Sequence, residues 1–126
     1  MLLNHNYKKP GFYTISGIVY AADLNGKISQ EHYWWLALNW NNLLPSCMQC
    51  NKSKSNLFPV NKHRATVRYS GKQTLFNREN PVLIDPEYED PERHFSYDSD
   101  GRIFGTTRRG KITEDLLRLN REELIN

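Results

Sequence analysis

The chain has 126 residues, of which 38% are hydrophobic and 12% aromatic, and its formal net charge is +3. This length predicts one domain with a modest core that depends on aromatic side chains. The mild positive charge is compatible with a nucleic-acid partner but does not require one. The sequence contains neither a run of the roughly 20 apolar residues that a membrane helix needs nor the pattern of a signal peptide. We therefore expect a soluble, cytoplasmic protein.

The first third of the chain predicts a β-hairpin followed by an apolar segment. Residues 12–22 (FYTISGIVYAA) are rich in β-branched and aromatic side chains, which favours a strand. Asn25-Gly26 is a strong hairpin signal, so residues 28–31 are expected to pair back. Residues 32–40 (HYWWLALNW) form the densest apolar run and are predicted to lie in the core, as a strand or as a short helix.

The second half of the chain predicts four further features. Residues 60–79 are basic and loop-like, and residues 81–86 (PVLIDP) are expected to form a short buried run. Residues 94–97 and 102–106 alternate around a turn, which indicates a second hairpin. Residues 111–125 carry a stripe of leucines and predict one amphipathic helix, capped by Thr113 and Asp115.

The sequence places Cys47 and Cys50 three positions apart, a spacing at which two thiolates can share one tetrahedral zinc ion. A structural zinc site needs four ligands, and the chain has no second CxxC. Half of a zinc site and two free thiols therefore both stay open as interpretations. A thioredoxin-type redox pair is disfavoured because no βαβ pattern surrounds the cysteines. A short helix is expected over about 50–55.

Two asparagines bracket this cysteine pair. Asn42 precedes Leu43-Leu44 and can brace a turn through backbone groups. Asn51 can cap a helix or offer its amide oxygen to a hard cation. Neither asparagine is informative alone, but together with CxxC and Lys54 they form a more specific pattern.

Residues 40–54 (WNNLLPSCMQCNKSK) resemble the centre and last arm of an HNH endonuclease. Taken with further blocks, the chain resembles more narrowly the HNH nuclease subunit of Septu-type bacterial anti-phage systems. The resemblance covers most of the chain, and its further blocks are residues 33–37, 56–59, 81–86, 90–95, 110–113 and 119–121.

This resemblance implies a fold and a division of the chain. The expected class is α+β, with a small ββα-metal core in residues 1–59. Residues 60–126 would form a supporting extension that contains a β-hairpin and a C-terminal amphipathic helix. The family's upstream CxxC has no counterpart, so we expect either an N-terminally shortened member or fragment, or a protein in which the zinc is absent or completed by other ligands.

The resemblance also implies catalytic roles. Asn42 matches the asparagine that orients the catalytic histidine, and Asn51 matches the ligand on the helix for Mg²⁺ or Mn²⁺. His5 matches the general base, with Asn4 in place of the family's acidic residue. His32 is the alternative base, although it lies close to Asn42.

Further site residues follow from the same resemblance. Cys47 and Cys50 would supply half of a structural Zn²⁺ site. From their positive charge, and not from the resemblance, four basic residues are the first candidates for contacts to DNA phosphates: Lys52, Lys54, Lys62 and Arg64. The rest of the basic loop up to Lys72, with Arg108, Arg109 and Lys111, could add further contacts. A solvated charged surface is the alternative for each of them.

The sequence thus leaves three hypotheses of different classes. The first is a metal-dependent DNA endonuclease that works in anti-phage defence beside an ATPase partner similar to PtuA. The second is a degenerate HNH-fold protein that binds nucleic acid or the ATPase without cutting. The third is an interaction module stapled by zinc.

Overall fold

The computed structural model describes residues 21–29, 33, 36, 46–64 and 72–125. Within these residues there are two β-hairpins, four α-helices and one 3₁₀ turn at Pro91–Arg93. Their bounds are β1 (Ala21–Ala22), β2 (Ile28–Ser29), α1 (Met48–Lys54), α2 (Lys72–Glu79), β3 (Phe95–Tyr97), β4 (Ile103–Gly105), α3 (Arg108–Leu117) and α4 (Glu122–Ile125). The predicted arrangement of an HNH core is not defined by these elements alone and stays a prediction.

The first hairpin forms where the Asn-Gly signal predicts it. β1 and β2 are antiparallel, with Ala22 opposite Ile28. Gly26 has a φ of 82°, a left-handed conformation that costs glycine little, and its N–H donates to the carbonyl of Asp23 at 3.0 Å. The turn therefore fixes the register of the two strands.

This hairpin is tied to the chain that follows α1. The N–H of Ala22 donates to the carbonyl of Asn56 at 2.8 Å, and the N–H of Phe58 donates to the carbonyl of Ala22 at 2.9 Å. A parallel bridge joins Ala22 to Leu57. The C-terminal end of α1 is therefore held beside β1.

The described core draws on all parts of the chain. Tyr33 and Leu36 are the described residues of the aromatic segment, and they are 1% and 3% exposed. Their burial confirms that this segment contributes to the core, while its secondary structure lies outside the described residues. The main buried cluster consists of Ala21, Tyr33, Leu36, Phe58, Leu75 and Leu83.

The prediction of a loop over residues 60–79 was wrong for its last eight residues. Residues 72–79 form α2, which is anchored in the core by Leu75. The helix ends where Asn80 takes a φ of 50°. The helix was not predicted because most of its residues are polar or charged, and its buried leucine, Leu75, gives no apolar periodicity by itself. The buried run after α2 is confirmed, because residues 81–85 are all buried.

The second hairpin is confirmed, and it packs on α3 rather than standing alone. β3 pairs with β4 in antiparallel register, with Ser96 opposite Phe104. Asn120 holds β4 from the far end of α3, because its Nδ2 donates to the carbonyl of Ile103 at 2.7 Å and its Oδ1 accepts from the N–H of Ile103 at 2.9 Å. α3 also packs against α1.

The predicted single helix over residues 111–125 was wrong in its bounds. α3 begins earlier, because Thr107 caps it by accepting from the N–H of Gly110 at 3.0 Å. It ends where Arg118 adopts a left-handed conformation with a φ of 52°. Thr113, the predicted cap, is instead buried inside α3, where its Oγ1 accepts from the N–H of Ile84 at 3.2 Å.

Candidate functional site

The cysteine pair lies at the first turn of α1. Cys47 is the N-cap residue, and its Sγ accepts from the N–H of Cys50 at 3.4 Å. A thiol here does what a serine or threonine hydroxyl usually does at a helix start. Cys47 is exposed, Cys50 is half-buried, and both thiols are free. The two sulfurs are therefore presented at one end of one short helix.

Arg121 reaches both sulfurs from the segment between α3 and α4. Its Nη2 donates to Cys47 Sγ at 3.1 Å and its Nη1 donates to Cys50 Sγ at 3.4 Å. The Nη1 group also donates to the carbonyl of Arg118 at 3.3 Å, which helps to orient the guanidinium. The guanidinium of Arg121 thus bridges the two sulfurs.

The two thiols differ in acidity because their surroundings differ. The N–H of Cys50 lowers the pKa of Cys47, and the charge of Arg121 acts in the same direction against the opposing effect of burial. Burial raises the pKa of Cys50, and this outweighs the hydrogen bond from Arg121. Cys47 is therefore the more reactive thiol of the pair.

Asn51 occupies the buried face of the same helix. The residue is 5% exposed, and its Oδ1 accepts no hydrogen bond from any side chain or backbone group in the described part of the chain. A buried amide oxygen without a donor is costly. A cation at this oxygen would remove that cost, since Mg²⁺ and Mn²⁺ prefer oxygen ligands.

Among the described residues, Asn51 offers one oxygen to a hard cation, and the cysteine pair offers two sulfurs to zinc. Across residues 21–29, 33, 36, 46–64 and 72–125, no group of three or more His, Cys, Asp or Glu side chains could hold a metal ion. Two sulfurs are half of a tetrahedral set. The predicted ligand Asn4, the predicted base His5, its alternative His32 and the orienting Asn42 lie outside the described residues.

The four predicted phosphate-binding residues fall into two groups. Lys52 and Lys62 are exposed. Lys54 is 1% exposed, its Nζ lies 5.9 Å from the centroid of the Phe58 ring, and burial lowers its pKa to about 7. Only the exposed pair is presented for contact with a phosphate in this arrangement.

Arg64 belongs to a polar network inside the protein. It forms an ion pair with Asp23, and its Nη1 donates to Tyr33 Oη at 3.1 Å and to the carbonyl of Phe58 at 2.8 Å. Tyr33 Oη in turn donates to Glu79 Oε2 at 2.5 Å. The Arg64 side chain is 7% exposed, so its charge serves to connect β1, the chain after α1 and α2.

The sequence did not single out Arg121 as part of the site, although it did contain a signal. Arg121 lies in one of the blocks by which the chain resembles Septu-type nuclease subunits. Its neighbour Asn120 clasps β4, which explains why this block bears on the fold as well. What the sequence lacked was any local pattern that pairs residue 121 with residues 47 and 50.

The described elements define a small α+β protein with a cysteine pair and a buried asparagine on one helix. In the parts of the chain that the structure describes, no helix is long and apolar enough to cross a membrane. No protein-family model matches the sequence, and no solved structure is significantly similar to it.

Comparison with characterised sequences places this protein among the relatives of Septu proteins. It is 35% identical over 102 residues, 81% of its length, to the Septu protein PtuA of Bacillus mycoides (strain KBAB4). It is 34% identical over 95 residues, 73% of its length, to Septu protein PtuB of the same strain. A PtuB from Bacillus thuringiensis is 29% identical over 96 residues. The predicted Septu-type relationship is thereby confirmed.

The chain corresponds to only part of each relative. The matched regions make up 14% of that PtuA and 31% and 28% of the two PtuB proteins. Proteins with two different names thus contain a segment similar to this chain. The HNH family, which rests on the resemblance of residues 40–59, stays a prediction.

Proposed function

We propose that the chain is a metal-dependent endonuclease of the HNH type that hydrolyses DNA phosphodiester bonds. The observation that carries this proposal is the buried Oδ1 of Asn51, which accepts no hydrogen bond among the described residues. It lies on the helix that the HNH resemblance assigns to the metal ligand. The Septu-type relationship supports the same assignment.

In this proposal each polar residue has a separate task. Asn51 holds the divalent cation through its amide oxygen, together with Asn4. His5 takes the proton of the attacking water, and Asn42 keeps the imidazole in the orientation that this transfer requires. His32 is the alternative base. A bound Mg²⁺ or Mn²⁺ supplies stabilisation of the charge that develops on the phosphate oxygens.

Exposed lysines complete the proposed substrate contact. Lys52 lies on α1 one position after Asn51, and Lys62 follows the chain segment that leaves α1. Contacts from such side chains to phosphate oxygens are independent of base sequence and weaken as salt is added. We therefore expect DNA binding by this chain to be non-specific in sequence.

The setting of this activity is also part of the proposal. The Septu relatives support a role in bacterial anti-phage defence, with the chain as the nuclease effector in the cytoplasm. The resemblance to the nuclease subunit of these systems supports an ATPase partner similar to PtuA. Cutting by the isolated chain and cutting beside that partner are therefore both to be measured.

Nicking of supercoiled plasmid tests the nuclease. The parent protein is incubated with Mg²⁺ or Mn²⁺, and with EDTA, beside Asn51→Ala, His5→Ala and His32→Ala. We expect cutting that depends on the metal and is lost in Asn51→Ala and His5→Ala. Gln49→Ala is the matched control, since Gln49 is exposed on the same helix, and it should cut like the parent.

Three outcomes would change the proposal. Undiminished cutting by a folded Asn51→Ala protein would show that this helix does not bind the cation. Loss of cutting in His32→Ala alone would keep the nuclease but reassign the base. Absence of cutting by the parent, alone and with the ATPase, would overturn the proposed activity.

The second candidate function is binding of nucleic acid or of the ATPase without cutting. Two observations favour it: asparagine stands at position 4 where the family has an acid, and Arg121 satisfies both sulfurs of the cysteine pair without a metal. An asparagine is a weaker cation ligand than a carboxylate. DNA binding that is unchanged by EDTA, in a parent that never cuts, would establish this function.

A further inference from the structure

A cleft of about 440 Å³ opens between the first hairpin and the start of α3. It is lined by the turn of the hairpin, by residues 60–64, by Val82 and by Arg108 at the first turn of α3. This volume is in the range of sites for small molecules. Among the described residues, Asn51 and the cysteine pair do not line the cleft, whereas Lys62, a proposed DNA contact, does.

Three exposed cations converge on the cleft from separate segments. They are Lys27 of the hairpin turn, Lys62 and Arg108. Among the described residues, Lys27 and Lys62 have no ion-pair partner, and the only described acceptor for the Arg108 guanidinium is Asn61 Oδ1 at 3.2 Å. The one carboxylate among the described lining residues, Asp23, is neutralised by its ion pair with Arg64. The cleft is therefore an unneutralised positive site.

The fold fixes the backbone that carries these cations. The N–H of Asp23 donates to the carbonyl of Lys27 at 3.0 Å across the hairpin turn, and Asn25 Oδ1 accepts from the N–H of Lys27 at 3.0 Å. The N–H of Lys62 donates to the carbonyl of Glu79 at 3.0 Å. The positive charges thus come from positions that the fold defines, which lowers the entropic cost of binding an anion.

The other residues that line the cleft are not those that binding of inorganic phosphate alone would require. Leu24, Val60 and Val82 provide an apolar wall beside the cations. Asn25 and Asn61 add side-chain amides, each of which can both donate and accept hydrogen bonds. Cations, an apolar wall and amides together match the phosphate, sugar and base of a nucleotide.

We propose that this cleft binds a nucleoside phosphate, as a free nucleotide or as one unit of a nucleic-acid strand. Lys27, Lys62 and Arg108 hold the phosphate, and the apolar wall with its amides holds the nucleoside. The site does not involve the cation of the proposed nuclease. It therefore extends the proposed function and can be tested without any cutting.

Binding is measured in EDTA with the full chain, by calorimetry with AMP and with inorganic phosphate, and by fluorescence anisotropy with a labelled single-stranded 12-mer. The test variant is Lys27→Ala with Lys62→Ala. The matched control is Arg102→Ala with Lys111→Ala, which removes the same charge from two exposed residues that do not line the cleft. We expect the test variant to bind about tenfold more weakly or worse, and the control to bind nearly like the parent.

Each outcome decides a part of the inference. If AMP binds saturably, and only the test variant binds it more weakly, the ligand is a free nucleotide. If the 12-mer but not AMP binds in this way, the ligand is a nucleic-acid strand. Equal weakening in both variants, equal affinity for phosphate and AMP, or no saturable binding of either nucleotide probe would overturn it. Asn51→Ala should bind the nucleotide probes like the parent. Failure of the cleft proposal can therefore be distinguished from failure of the nuclease proposal.

Discussion

Arg121 Nη2 donates to Cys47 Sγ at 3.1 Å, although the two residues are 74 positions apart in the chain. The other terminal nitrogen of the guanidinium lies 3.4 Å from Cys50 Sγ. A positive charge beside a thiol favours the thiolate, which is the nucleophilic form. The C-terminal segment therefore sets the chemistry of a pair that belongs to α1.

Replacement of Arg121 by alanine should slow the reaction of Cys47 with iodoacetamide severalfold near neutral pH. The N–H of Cys50 remains as the larger cause of the lowered pKa, so the effect is partial. The rate is followed by mass spectrometry on protein treated with chelator. Arg102→Ala, at an exposed site, should react like the parent, and a parental rate in Arg121→Ala would contradict the role of the guanidinium.

Replacement of Tyr33 by phenylalanine should lower the free energy of unfolding by about 2 kcal/mol, the usual scale for a hydrogen bond to a charged group. The variant keeps the buried ring, which packs edge-on against Phe58, but it removes the donor to Glu79 Oε2. Urea unfolding measures the change. Tyr97→Phe is the control, because Tyr97 is 62% exposed. Equal stability of the two variants would show that the buried hydrogen bond contributes nothing.

Replacement of Arg109 by alanine should cost about 2–3 kcal/mol of unfolding free energy at neutral pH. Its guanidinium pairs with both oxygens of Glu89, at 2.7 and 2.6 Å, and also donates to the carbonyls of Val82 and Leu83, each at 3.2 Å. The guanidinium thus joins α3 to Glu89 through the ion pair and to the buried run after α2 through the two carbonyls. Lys111→Ala, on the exposed face of α3, is the matched control.

The cost of Arg109→Ala should shrink in acid. Burial alone raises the pKa of Glu89, but the hydrogen bonds from Arg109 and from the N–H of Asp85 outweigh it and leave the pKa lowered. Stability from such a carboxylate is complete above the ordinary pKa and is lost as the pH falls through the lowered one. The free energies of unfolding of the parent and of Arg109→Ala are measured at pH 7 and near pH 3. A difference that is constant with pH would mean that the charge of Glu89 is unimportant.

Replacement of Lys54 by methionine should stabilise the protein, and more so at low pH. Burial lowers the pKa of Lys54 from 10.5 to about 7. Below about pH 7 the buried amine is charged, which destabilises the folded state. Between about pH 7 and 10.5 the lysine is protonated in the unfolded chain but neutral in the folded one, so the penalty falls as the pH rises. The gain in melting temperature should therefore be larger at pH 6 than at pH 10. Lys52→Met, on the exposed face of α1, should show no such pH dependence.

Local signals in the sequence predicted the turns well. Asn25-Gly26 specified the first hairpin, because glycine takes the left-handed conformation that the turn needs. The helix that carries the cysteine pair was also expected, but it starts at Met48 and not at Cys50. The difference arises because Cys47 acts as the N-cap, a role that cysteine seldom plays.

Contacts between distant residues could not be predicted in the same way. Among its described side chains, α2 contributes Leu75 to the main buried cluster, and a single leucine in a charged segment is no local signal for a helix. The break between α3 and α4 depends on the left-handed Arg118, and positive φ is uncommon outside glycine. Likewise, the bonds from Arg64 to Tyr33 and from Arg121 to Cys47 depend on the packed fold and have no signature in either sequence segment.

The bridge from Arg121 to α1 has a consequence for protein synthesis. Both cysteines leave the ribosome well before the arginine that contacts them, and for that interval their thiols lack their cationic partner. Oxidants and free metal ions in the cell can reach the nascent pair during this time. Emergence of the segment after α3 ends this period, so the rate of translation through residues 51–121 sets how long the thiols remain open to reaction.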